Sequence, residues 1–231
     1  MSGILTAQSA AEIDQLLEQL KTPGTRSSTA GGRLIFALDA TASRAPTWDA
    51  ACHIQGEMFE ATAGLGGLEI QLGFYRGHSE CKTSRWLTTA SELHHAMRSV
   101  FTAGGHTQIS RILDHTIRET QTHKIGALVF VGDQLEEKAD QLCHLASELG
   151  RLGVPIFIFQ EGTDRDAAAV FKQIAGLSYG AYLSFDLAAI GRLKELLGAI
   201  AVYVAGGHQA LVDYGKQKGG EALRLTSQLR S

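Results

Sequence analysis

Apolar positions change period several times along this chain, and each change predicts an element. In residues 9–20, Ile13, Leu16, Leu17 and Leu20 fall on one helical face, and Ser9 with Glu12 has capping-box spacing. Residues 21–32 are rich in Gly, Ser, Thr and Pro and read as a linker. A nearly continuous apolar run over 33–39 then predicts a strand buried on both faces, ending at Asp39. Thr47 is placed to cap a helix to about residue 63, and residues 68–76 alternate as a second strand does. Residues 84–87 predict a short antiparallel edge strand. A helix over 89–101 follows, with capping-box spacing at Thr89 and Glu92.

The second half repeats this alternation. Gly104-Gly105-His106-Thr107 reads as a tight loop opening a helix to about residue 122. Residues 125–131 form the next buried strand, ended by Gly132 and Asp133. A helix over 136–152, a strand over 154–159, a helix over 164–175, a strand over 181–185 and a closing helix over 188–205 complete the pattern. Strands alternating with helices predict an α/β fold: a doubly wound, mostly parallel central sheet of about six strands with helices on both faces. The expected organisation is an N-terminal helix and linker (1–32), an α/β domain (33–205) and a tail (206–231) with a short helix over 222–229.

Composition narrows the partners. A hydrophobic fraction of 44% suits a globular protein, and a net charge of -3 gives no electrostatic case for nucleic acid or an anionic membrane. No apolar run approaches the roughly 20 residues of a membrane span. The N-terminus lacks a basic region followed by an apolar stretch, so no secretory signal is expected. Cys52, Cys81 and Cys143 are far apart and odd in number, which argues against a disulfide framework or a structural zinc site and for a reduced, cytoplasmic setting. Cys52 and Cys143 fall in helical patterns as small core residues, and Cys81 falls in a polar loop.

The densest chemistry lies where the first buried strand runs out. Asp39 is followed by hydroxyls at Thr41 and Ser43. Ligands of open α/β sheets bind beyond the carboxyl ends of the strands. A carboxylate and two hydroxyls there are hard oxygen donors, suited to Mg²⁺ or Mn²⁺. The strands ending at Asp39 and Asp133 meet at one sheet edge if they are neighbours, and the loop of Thr107 then lies near them.

Asp39, Thr41 and Ser43, then Thr107, then Asp133, resemble the metal-ion-dependent adhesion site of von Willebrand factor type A domains: a D-x-S-x-S loop, a distant threonine and a distant aspartate. The resemblance covers about residues 33–205, with Thr41 in place of the usual serine and Gln134 after the last aspartate where glycine is frequent. It implies a non-enzymatic, divalent-metal-dependent protein-binding domain. Hydroxyls of Thr41 and Ser43 would bind the metal directly and that of Thr107 directly or through water, with Asp39 and Asp133 orienting them. A partner's Glu or Asp would take a remaining position. Stand-alone bacterial members of this family serve ATPase or chaperone machines, which suggests the partner class.

Two enzyme classes compete. A phosphatase or phosphotransferase of the haloacid-dehalogenase type would use Asp39 as nucleophile, but it needs a second aspartate where Thr41 stands. A nucleotide-binding fold needs a G-x-G-x-x-G turn, and no glycine lies between Asp39 and Trp48. Around the site, His106 reads as a solvated loop residue, and Glu136 and Glu137 as favouring the positive end of the helix that follows them. Of His94 and His95, one should face solvent and the other pack partly. Trp48, Trp86 and Tyr75 are candidates for the rim, with packing the expected role of Trp48.

Overall fold

The structure is a computed structural model that describes residues 32–44, 67–185 and 190–218. Its strands are β1 (Gly32–Asp39), β2 (Leu68–Arg76), β3 (Glu80–Leu87), β4 (Ala127–Gly132), β5 (Ile156–Glu161) and β6 (Ala181–Phe185). Its helices are α1 (Ala90–Arg98), α2 (Ile109–Thr122), α3 (Ala139–Arg151), α4 (Arg165–Leu177) and α5 (Ile190–Lys218), with a 3₁₀ turn at Ala42–Arg44. The expected helices over 9–20, 47–63 and 222–229 lie outside the described residues.

The six strands form one sheet in the order β3-β2-β1-β4-β5-β6, parallel except for β3. This is the expected doubly wound sheet with an antiparallel edge. Strand β1 is central, and its side chains divide the core. Leu34, Phe36 and Leu38 point to the face covered by α1 and α5, where they join Leu93, Met97, Leu197 and Ile200. Ile35 and Ala37 point to the other face, against Ile112 of α2, Leu142 of α3 and Phe171 of α4. A strand with apolar side chains on both faces is stable only between two helical layers. Each of these buried large side chains contributes about 1.5–3 kcal/mol relative to exposure.

Two boundaries differ from the sequence reading. Strand β3 begins at Glu80, four residues before the predicted edge strand. Its first half is too polar to show a pattern, and it forms by pairing with the backbone of β2. Helix α2 runs from Ile109 to Thr122, just past the expected loop, and the His106 N–H ties that loop to the Gly77 carbonyl. The closing helix breaks at Gly207 (φ 75°) and resumes to Lys218, because Leu211 and Tyr214 pack onto the α5 face of the core. At the start of β1, Gly32 lies against the main chain of this helix: an added Cβ would sit 2.2 Å from the Val204 carbonyl oxygen.

Candidate metal centre

Strands β1 and β4 are hydrogen-bonded neighbours, with Leu38 opposite Val131. The two aspartates that follow therefore arrive at one edge, as their positions predicted. Gly132 marks the approach: a Cβ there would sit 3.5 Å from the Asp39 Cβ.

Asp39 is fully buried. One carboxylate oxygen accepts the Thr41 backbone N–H at 2.7 Å, and the other accepts the Tyr75 hydroxyl at 2.9 Å. Burial pushes its pKa up, Thr41 and Tyr75 pull it down, and the charge of Asp133 pushes it up further. The turn closed by the Thr41 N–H brings the two hydroxyls together, with Thr41 Oγ1 and Ser43 Oγ 3.0 Å apart. Thr41 is buried, and it bridges to Ala103 in the loop that leads to Thr107.

Thr107 is held by the segment after β4. Its N–H donates to Glu136 Oε2 at 3.0 Å, and its Oγ1 accepts the Glu136 N–H at 3.0 Å. The Asp133 and Thr107 loops are thus laced together, while Ala103 N–H donates to the Ala40 carbonyl and ties the Thr107 loop to the first. Asp133 itself presents a buried Oδ1 with no hydrogen-bond partner among the described residues. A buried, unsatisfied carboxylate oxygen at the sheet edge that also carries the paired hydroxyls needs a water or a cation to complete it. Hydroxyl and carboxylate oxygens are the donor set of Mg²⁺ or Mn²⁺, so the residues fit such an ion. Among the described residues, no group of three His, Cys, Asp or Glu side chains is gathered as a metal site.

Several sequence-based expectations are corrected. Glu136 and Glu137 serve a different helix from the one expected. Lys138 is extended and α3 begins only at Ala139, so the acids turn back toward α2. Glu137 accepts the N–H groups of Ile109 at 2.5 Å and Ser110 at 2.9 Å and caps the start of that helix. Tyr75 lies beneath the site rather than on its rim, fully buried, and its hydroxyl pKa is raised well above 10.0 by burial first and then by the Asp39 charge. Trp86 packs with Arg33 and His123, residues at the amino end of β1 and beyond the end of α2, away from the site. Cys81 is on β3 and partly buried, and burial pushes its thiol pKa up, so it is not an activated thiol. Cys143 is only half-buried on α3. Cys52 and Trp48 lie outside the described residues.

Other readings stand. His95 is exposed and His94 half-buried. His106 is exposed, with Nδ1 3.2 Å from Glu136 Oε2 and its ring 5.2 Å from that of His78.

Sequence reasoning missed Arg44. It directly follows Ser43, yet it is only 1% exposed. It forms an ion pair with Glu161 at the end of β5. Burial lowers its pKa, opposed by the charges of Asp133 first and then Asp39. Nothing in a polar turn sequence signals that its cation points inward.

No family model and no curated protein matches the sequence. Solved structures do. The von Willebrand factor type A protein from Catenulispora acidiphila matches at TM-score 0.63 and 14% identity, over 75% of this chain and 43% of that one. This chain thus spans less than half the length of that protein. Proximal thread matrix protein 1 from the mussel byssus, in a structure with zinc occupying its adhesion motif, matches at TM-score 0.60 and 14% identity over 75% of this chain and 46% of that one. The SpRpn10 VWA domain matches at TM-score 0.57 and 12% identity, over 78% of this chain and 98% of that domain. The chain has the von Willebrand factor type A fold.

Proposed function

We propose that this chain is a divalent-metal-dependent protein-binding domain rather than an enzyme. The observation that carries the reading is the buried, unpartnered Oδ1 of Asp133 at the edge where Thr41 and Ser43 converge. Thr41, Ser43 and Thr107 would hold Mg²⁺ or Mn²⁺ through their hydroxyls, and Asp39 and Asp133 would orient those hydroxyls and bound water. The zinc held at the corresponding motif of the mussel protein supports this assignment. A bound ion of this kind supplies Lewis acidity toward an anionic oxygen.

The chain's own residues prepare the rest. Neutral hydroxyl donors leave the ion's charge largely uncompensated by direct ligands, so a partner's Glu or Asp side chain is the favoured additional ligand. Phe101, exposed and held under the Arg76 guanidinium at 3.8 Å, offers an apolar contact on the same loop. An ATPase or chaperone component in the cytoplasm is the partner class we propose. Phosphoryl transfer through Asp39 is disfavoured, because both its oxygens are already engaged and its side chain is closed to solvent.

The test is calorimetric titration of Mg²⁺ and Mn²⁺ into metal-free protein, followed by capture of cellular partners with and without EDTA. The reading expects binding heat, a raised Tm and an EDTA-sensitive complex, each weakened by Ser43→Ala. A folded protein that takes up neither metal at millimolar concentration overturns it.

A further inference from the structure

The turn that carries the Ser43 hydroxyl also buries a permanent cation. Guanidinium does not deprotonate in proteins, and burying it is costly unless carboxylates surround it. Three are supplied by the ends of three adjacent parallel strands. Glu161 ends β5 and pairs with Arg44 directly. Asp133 follows β4 and Asp39 ends β1, and these are the charges that act on the guanidinium in favour of its ionised form. One cation against three carboxylates leaves the cluster a net anion, still attractive to a divalent ion. Without Arg44 it would be more negative, hold a metal more tightly, and repel an incoming carboxylate.

We propose that Arg44 is a built-in cation of the site, lowering its affinity for a divalent metal, and that Glu161 counters it by drawing the guanidinium toward β5. This deepens the metal-binding reading above and rests on it. The chain would then exchange its ion readily. The Arg44 charge would offset the cluster when the ion is absent and help admit a partner's carboxylate when it is present. The opposition is Coulombic: a unit charge within several ångströms of a divalent ion, at the screening typical of protein sites, changes affinity by at least about tenfold.

The experiment is Mn²⁺ and Mg²⁺ titration of wild type, Arg44→Met, Glu161→Gln and the double variant, with circular dichroism to confirm each fold. Arg44→Met is expected to bind at least about tenfold more tightly and Glu161→Gln more weakly, with the double variant returning toward wild type. Arg44→Met leaves Glu161 without its cation, so the double variant also guards against misfolding of the single one. Equal affinities of wild type and folded Arg44→Met, or of Glu161→Gln and the double variant, would overturn the role of Arg44 and leave the metal site standing. No uptake by any folded variant would overturn both this role and the metal reading.

Discussion

The Tyr75 hydroxyl donates to Asp39 across 2.9 Å, and the two residues are register partners on adjacent parallel strands. The sheet itself therefore aims the donor at the carboxylate. Tyr75→Phe removes the donor and nothing else of size. It should destabilise the fold by about 1–3 kcal/mol, because a buried carboxylate oxygen loses its partner. Metal affinity should fall by about tenfold, as for other groups that orient ligands from behind. Urea denaturation and Mn²⁺ titration measure the two effects, and unchanged values for both would show that the contact is incidental.

Glu136 bridges the Thr107 backbone and hydroxyl at 3.0 Å each. Glu136→Ala keeps its own N–H to Thr107 Oγ1 but leaves the Thr107 N–H without its acceptor. The carboxylate is half exposed, so the expected cost is small, about 1 kcal/mol or less. The loss of metal affinity should exceed what that cost implies, since the loop carrying Thr107 loosens. A variant with wild-type metal affinity would contradict the positioning role.

The loop glycines make a paired test. A Cβ on Gly105 would meet the Gly77 carbonyl oxygen at 2.0 Å, whereas one on Gly104 meets nothing within 4 Å. Both the His106 N–H and the Gln108 side-chain amide donate to that same Gly77 carbonyl at 3.2 Å. Gly105→Ala should cost about 1–3 kcal/mol and displace Thr107. Gly104→Ala should be neutral or slightly stabilising. Thermal melts of the two variants decide it, and equal shifts would refute the close approach.

Glu92 sets a pH dependence far from the site. Its carboxylate is held by the Arg85 guanidinium first, then by the Thr88 N–H, and it also accepts the Thr89 N–H of the capping box; its pKa is lowered from 4.5 to about 2. A depressed carboxyl pKa stabilises the fold fully above the unfolded value. That contribution is lost as the pH falls from about 4.5 toward about 2. NMR titration should find Glu92 still ionised at about pH 3, and Glu92→Gln should flatten stability across that window. A carboxyl titrating near 4.5 would remove the prediction.

How much of this was readable beforehand depended on the kind of signal. The buried runs ending at Asp39 and Asp133 announce themselves, because a strand covered on both faces is apolar until its carboxyl end, where a buried acid such as Asp39 can find donors in the following turn. Thr89 and Glu92 are legible for a similar reason, since a cap is a short-range relation. The partners of Glu136 and Glu137 were not legible. An acid near a helix start was the right physics, but the backbone at Lys138 turns them toward α2, nearly thirty residues earlier in the chain. Arg44 was invisible because its burial depends on Glu161, which is remote in sequence and adjacent only in the folded sheet.

One consequence concerns motion. At Gly32 the closing helix touches β1 backbone to backbone, 2.2 Å from where a methyl group would begin. A side chain at position 32 would have no room there, so the close seating of the helix depends on glycine. The far end of that same strand carries Asp39. A displacement of the closing helix along this strand would therefore begin with the loss of its contact at Gly32, at the end of β1 opposite Asp39.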